Sequence, residues 1–157
     1  MTALIVVFIV LSLMGSALWI KPSRRDREKM NLRMAARKHG ILVQLTSVDL
    51  PDKWDKTTNK VSVSAYRKYR AKPLKDFTAA NLYTHEVWKH EALCDGWFSS
   101  RSIDLEQTTK DLLQRHKDVF LAIEVRPEGV SLFWTERGDE QTVEAANQII
   151  EALFRLR

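Results

Sequence analysis

His85, His90 and Cys94 stand within ten residues of one another in "HEVWKHEALC" (85–94), and they are the side-chain types that metal binding or nucleophilic catalysis would use. Imidazole and thiolate are ordinary zinc ligands, and Glu86, Glu91 and Asp95 add carboxylates beside them. The spacing opposes a shared site. On a strand, His85 and His90 fall on opposite faces. On a helix they are separated by about 140° around the axis. A nucleophilic Cys94 would need a base held against its sulfur, and no catalytic signature surrounds it. The expectation is a half-buried free thiol, no metal and no enzyme, with a metal or enzymatic centre at His85, His90 and Cys94 as the alternative. Phosphate-binding loops need clustered glycines, whereas the five here, at 15, 40, 96, 129 and 138, each stand alone. No cofactor is expected.

A second stretch has the chemistry of contact. "YRKYRAKPLK" (66–75) interleaves Tyr66 and Tyr69 with Arg67, Lys68, Arg70, Lys72 and Lys75. Bases of single-stranded nucleic acid can stack on such tyrosines while the cations meet phosphates. Anionic lipid or a membrane partner would use the same residues, and charges on an edge strand also discourage aggregation. Trp54, in the polar "DLPDKWDKTTNK" (49–60), either anchors a partner or folds back as a loop staple.

The charge distribution narrows these classes. The net charge is +5 over 157 residues. Residues 21–40 alone hold +6 and residues 67–75 hold +5, which leaves the remainder at −6. An acidic domain with two basic zones is not a uniformly basic nucleic-acid binder. A single cysteine excludes an intramolecular disulfide and suits a reducing compartment.

The elements that would position these groups begin with "ALIVVFIVLSLMGSALWI" (3–20), an apolar run without a polar face. Its 18 residues would cover roughly 27 Å as a helix, near the thickness of a bilayer's hydrocarbon core. Trp19 and Lys21 read as interfacial, and Arg24, Arg25 and Arg27 follow. The positive-inside rule places Met1 outside and the rest of the chain in the cytoplasm. Ser23 and Asp26 suggest a capping box for a basic helix to His39, stopped by Gly40. Strands are expected at 41–48 and 61–69, with Pro73 ending the second. Residues 76–100 read either as a strand with Leu82, Thr84, Glu86 and Trp88 on one face, or as a helix. Asp104, with Gln107, is expected to cap a helix over 105–116. Strands at 118–125 and 130–136 flank the turn Arg126-Pro127-Glu128-Gly129, and Asp139 caps a last helix over 140–155. Trp88, Trp97 and Trp134 supply bulk for a core. The predicted architecture is α+β: a transmembrane anchor (1–20), a basic juxtamembrane helix (21–40), and a small antiparallel sheet packed by two helices (41–157).

"LWIKPSRRDREKMNLRMAARKHG" (18–40) resembles the start of the YajC-type accessory subunit of the bacterial preprotein translocase, where one apolar span leads into an Arg-Pro-led basic helix. Lys21-Pro22 stands here for Arg-Pro, and "ILVQLTSV" follows Gly40 where that family has a short glycine-marked β segment. The chain also looks like small proteobacterial inner-membrane proteins with a C-terminal "GVSLFW" hairpin. These resemblances imply a bacterial inner-membrane setting and carry over no functional residues. The leading expectation is a single-pass protein whose cytoplasmic domain is a non-enzymatic accessory or scaffold. Its partners would be the lipid bilayer and another membrane or cytoplasmic protein. The alternative is a tethered module binding nucleic acid or anionic lipid.

Overall fold

The computed structural model describes residues 1–19 and 21–157, without the side chains of Ala17 and Leu18. Ile20, the last residue of the expected anchor, lies outside the described residues. The chain divides into two compact units, Met1–Asn31 and Leu32–Arg157.

The first unit contains helix α1, Thr2–Leu18. Every turn is apolar, so no stripe exists to face a core. The large side chains from Leu4 to Met14 accordingly stay 48–76% exposed. Ser16 donates to the Leu13 carbonyl at 2.9 Å, which satisfies its hydroxyl within the helix. Seventeen residues cover only about 26 Å. Among the described residues, no helix is long and apolar enough to cross a membrane. The fold therefore does not support the transmembrane part of the expected architecture.

Helix α2, Arg24–Lys38, begins as the sequence suggests. The Ser23 hydroxyl accepts from the Asp26 N–H at 3.2 Å, and the Asp26 carboxylate accepts from the Ser23 N–H at 3.3 Å. At its end Gly40 adopts φ +73°, and the Ile41 N–H closes on the Ala36 carbonyl at 3.2 Å. A left-handed residue costs glycine little, because it has no Cβ to clash.

The second unit is built on an antiparallel sheet of seven strands in the order β1-β2-β7-β6-β3-β5-β4. β1 (Leu42–Pro51) and β2 (Thr58–Tyr69) pair along the whole of β1, which therefore runs further than the alternating pattern alone indicates. The turn between them is organised by Asp52. Its carboxylate accepts from the Trp54 and Lys56 N–H groups at 3.1 and 2.8 Å and from the Thr57 hydroxyl at 3.0 Å. Residues 76–100 form neither a helix nor one strand. They supply three short strands, β3 (Ala80–Tyr83), β4 (Glu91–Cys94) and β5 (Trp97–Ser99). β3 ends at Tyr83, so Thr84, Glu86 and Trp88 do not continue a strand face. β6 (Phe120–Arg126) and β7 (Gly129–Trp134) form the expected hairpin.

Helix α3 runs only from Gln107 to Arg115, with Glu106 rather than Asp104 at the cap position and no side-chain capping bond. Helix α4, Glu140–Phe154, has a complete capping box. Asp139 accepts from the Thr142 N–H at 2.9 Å, and the Thr142 hydroxyl accepts from the Asp139 N–H at 3.2 Å.

Strand alternation sorts side chains to two faces. Tyr66, Leu82, Trp97, Ile123, Leu132 and Trp134 pack with Leu113 and the apolar stripe of α4, joined by Leu32 and Ala36 from the second half of α2. On the opposite face Val48, Val63, Ala65, Ala122 and Phe133 form a smaller cluster with Tyr83 and Val87. Trp97 and Trp134 are buried as expected. Trp88 is 54% exposed, because it lies beyond the end of β3 in the loop to β4 rather than on a strand face.

Candidate functional site

The sheet separates the proposed metal ligands. Cys94 packs against the helix-covered core, whereas His85 and His90 flank Tyr83 on the other face, with ring centroids 5.7 and 5.6 Å from it. His85 is further occupied by the Pro51 carbonyl at 2.8 Å. No group of three His, Cys, Asp or Glu among the described residues could hold a metal ion. Burial pushes the Cys94 thiol above its ordinary range, which disfavours the reactive thiolate. Burial also lowers His90, with His85 adding to the effect and Asp55 opposing it.

The basic segment is divided among different surroundings. Tyr66 is fully buried and donates to Glu136 at 3.2 Å. It is a core residue, not a contact residue, since its position on β2 points it at α2 and α4. Arg67, on the other face, donates to Gln44 at 2.9 Å and lies 3.4 Å from the exposed Tyr69 hydroxyl. Lys68 is paired with Glu151 of α4. Lys72 is exposed in the loop that follows β2. Trp54 is exposed and meets Trp88 at a ring-centroid distance of 6.1 Å, with the Lys53 ammonium 5.8 Å over its ring. Trp19, Lys21, Arg24, Arg25 and Arg27 are all exposed in the first unit.

Arg70 and Lys75 have a different fate. Together with Leu74, Phe154, Arg155 and Arg157 they line a cleft of about 580 Å³. Backbone bonds set its wall: the Arg70 N–H donates to the Glu128 carbonyl at 2.8 Å and the Leu74 N–H to Pro127 at 3.1 Å. The chain leaving β2 is thereby laid along the β6–β7 turn, next to the last turn of α4. The Arg70 guanidinium stacks on Phe154, 4.3 Å from the ring centroid. One of its terminal nitrogens reaches the Leu156 carbonyl at 3.4 Å. Its Nε is buried and has no hydrogen-bond partner among the described residues. Burial lowers the Arg70 pKa. Among the described residues no acidic side chain lines the cleft, and Glu151, one turn back on α4, is engaged by Lys68. Arg155 and Arg157 were not among the residues singled out in the sequence. At a helix end they read as ordinary partners for the terminal carbonyls, and nothing local ties them to residues 70–75.

A second polar cluster is structural. The Glu136 carboxylate, 1% exposed, receives a two-pronged pair from Arg33 of α2 at 2.8 and 2.6 Å. Burial alone would raise Glu136. Hydrogen bonds from Arg33, Ser64 and Tyr66, with the Arg33 charge, outweigh it and hold the carboxyl below its ordinary range.

No protein-family model, curated protein or solved structure matches this chain.

Proposed function

We propose that this is a non-enzymatic, membrane-tethered protein. In this reading the apolar run of residues 3–20, which continues past α1, holds the chain in a bacterial inner membrane as a single-pass anchor. Met1 lies outside, and the α+β unit, in the cytoplasm, acts by contact as an accessory or scaffold of a membrane complex such as the preprotein translocase. The observation that carries the reading is α1 itself: a helix apolar on every side, with none of its large side chains from Leu4 to Met14 buried. A helix of that composition has no stable place in water. Trp19 and the cations that follow it supply an interfacial end. Two orientation reporters fused after Arg157 test it. Activity of a cytoplasm-only reporter, with carbonate-resistant pelleting, is the expected result. Activity of a periplasm-only reporter, or release of the chain by carbonate, would reject the arrangement. Cross-linking in native membranes, followed by pull-down, identifies the partner.

The reading that a domain surface binds anions directly is favoured by one observation, the acid-free cleft at Arg70. Nucleic-acid stacking between Tyr66 and Tyr69 is disfavoured because Tyr66 is fully buried.

A further inference from the structure

We infer that the cleft between the end of β2 and the end of α4 binds a phosphate-bearing anion, through Arg70, Lys75, Arg155 and Arg157. The chemistry fits a phosphomonoester, carried either by a membrane lipid headgroup or by a soluble metabolite. The inference deepens the contact reading above, and its lipid form rests on that reading.

Three observations converge. The first is charge. Four cations line one concavity with no acidic side chain among them. The ordinary reason to gather cations at a helix C-terminus is the macrodipole, but that end carries only about half a negative charge. The second is the state of Arg70. Its guanidinium carbon lies 4.3 Å over the Phe154 ring centroid and a terminal nitrogen reaches the Leu156 carbonyl at 3.4 Å, two contacts that restrict it. Arg70 lines the cleft and a guanidinium carries five N–H donors, of which a terminal one reaches the Leu156 carbonyl. A charge-assisted bond to an anion is the stronger use of such donors. The third is shape. The volume of about 580 Å³ lies within the range of small-molecule sites, roughly 300–1,000 Å³. Leu74 and Phe154 provide an apolar part of the wall beside the charges.

The class of anion follows from these features. A lone carboxylate brings one negative charge, while a phosphate monoester carries about −1.5 to −2 near neutrality and three acceptor oxygens. Planar guanidinium groups match those oxygens two at a time. The apolar wall suits the carbon skeleton that an ester carries and a free inorganic ion lacks. Salt weakens the interaction, because Lys75, Arg155 and Arg157 are exposed and screening acts over about 8 Å at physiological ionic strength.

The test uses the full chain in uncharged maltoside micelles, with the Arg70 Nε–H resonance as a reporter of the guanidinium that lines the cleft. The probes are dihexanoyl phosphatidic acid, glycerol 3-phosphate, dihexanoyl phosphatidylcholine, and sulfate at matched ionic strength. A saturable Arg70 shift with phosphatidic acid is expected, weakened at least tenfold in the Arg155→Gln/Arg157→Gln double variant, whose melting temperature should equal wild type. Arg70→Gln serves as a second variant, with the Arg155 resonance as reporter. A response to phosphatidic acid and glycerol 3-phosphate alike supports the shared phosphomonoester chemistry. A response to phosphatidic acid alone supports the lipid source, and one to glycerol 3-phosphate alone supports the soluble source and overturns the lipid one. The inference is overturned if sulfate or phosphatidylcholine shifts Arg70 as strongly, or if the double variant binds like wild type. Carbonate-resistant pelleting is scored separately. A chain that pellets but ignores every phosphate probe loses only the cleft, and one that binds glycerol 3-phosphate but is released by carbonate loses only the tether.

Discussion

Glu136 connects the basic helix α2 to the centre of the domain. Its backbone lies in the left-handed region at φ +56°, uncommon for a side chain with a Cβ. The bonds from Arg33 and Tyr66 hold it there. Glu136→Gln removes the charge and leaves the partly buried Arg33 guanidinium facing a neutral amide. The expected loss at pH 7 is about 2 kcal/mol, below the usual range for a fully buried broken pair because Arg33 keeps some solvent. The pH dependence follows from the lowered carboxyl pKa. The carboxylate's contribution is fully present above its ordinary pKa of 4.5 and is lost as pH falls through the lower, folded value. The gap between wild type and variant should therefore narrow below about pH 4. Thermal melts of both chains at pH 7 and pH 3.5 check this; a gap unchanged at low pH would show that the carboxylate charge is not what matters.

At the scale of elements, the β2–β7 pairing decides where Arg70 goes. Gly129 stands opposite Tyr69, at φ +157°, and a Cβ there would fall on the Lys68 carbonyl oxygen of the neighbouring strand. The obstacle is backbone, which cannot swing aside as a side chain can. Gly129→Ala should cost about 3 kcal/mol and loosen the end of β2. Faster hydrogen exchange at the Tyr69 and Arg70 amides is the local readout, together with loss of the Arg70–Phe154 stacking. Gly40→Ala is the contrasting case. Its added Cβ meets nothing within 4 Å, so only the left-handed conformation at φ +73° is penalised, by about 1 kcal/mol. If the two substitutions cost the same, close strand approach is not the reason for glycine at 129.

For the molecule as a whole, the compact C-terminal unit begins at Leu32, inside α2. Leu32, Arg33 and Ala36 belong to its core and to the Glu136 pair. A fragment of residues 22–157 should melt cooperatively without lipid. A fragment of residues 40–157 loses the burial of Leu32 and Ala36 and leaves Glu136 buried without its cation. The combined penalty is about 4 kcal/mol or more, comparable with the whole stability of a small domain. Circular dichroism and dye binding on the two fragments distinguish them. Equal, cooperative melting of both would mean that α2 is only a stalk.

Features encoded by neighbouring residues were legible in the chain itself. The all-apolar α1, the Ser23–Asp26 box, the Gly40 stop, the 120–134 hairpin and the Asp139 cap of α4 each depend on a few adjacent side chains and backbone groups. So was the α+β class, because strands came in runs. Features that depend on a distant partner were not. β3, β4 and β5 are three or four residues each, too short to display a period of two, and their faces are set by pairing with β6 and with one another. Glu106 displaced Asp104 at the start of α3 because helix onset there answers to packing on α4 and β4 rather than to a capping bond. Tyr66 looked like a member of a basic contact strip, since sequence shows its charged neighbours and hides α2 above it. The cleft was least legible of all. Two of its cations lie just after β2 and two just after α4, and each pair has an ordinary local explanation. Only the tertiary structure, by closing the β6–β7 turn against residues 70–74 and bringing Phe154 under Arg70, places four like charges around one cavity.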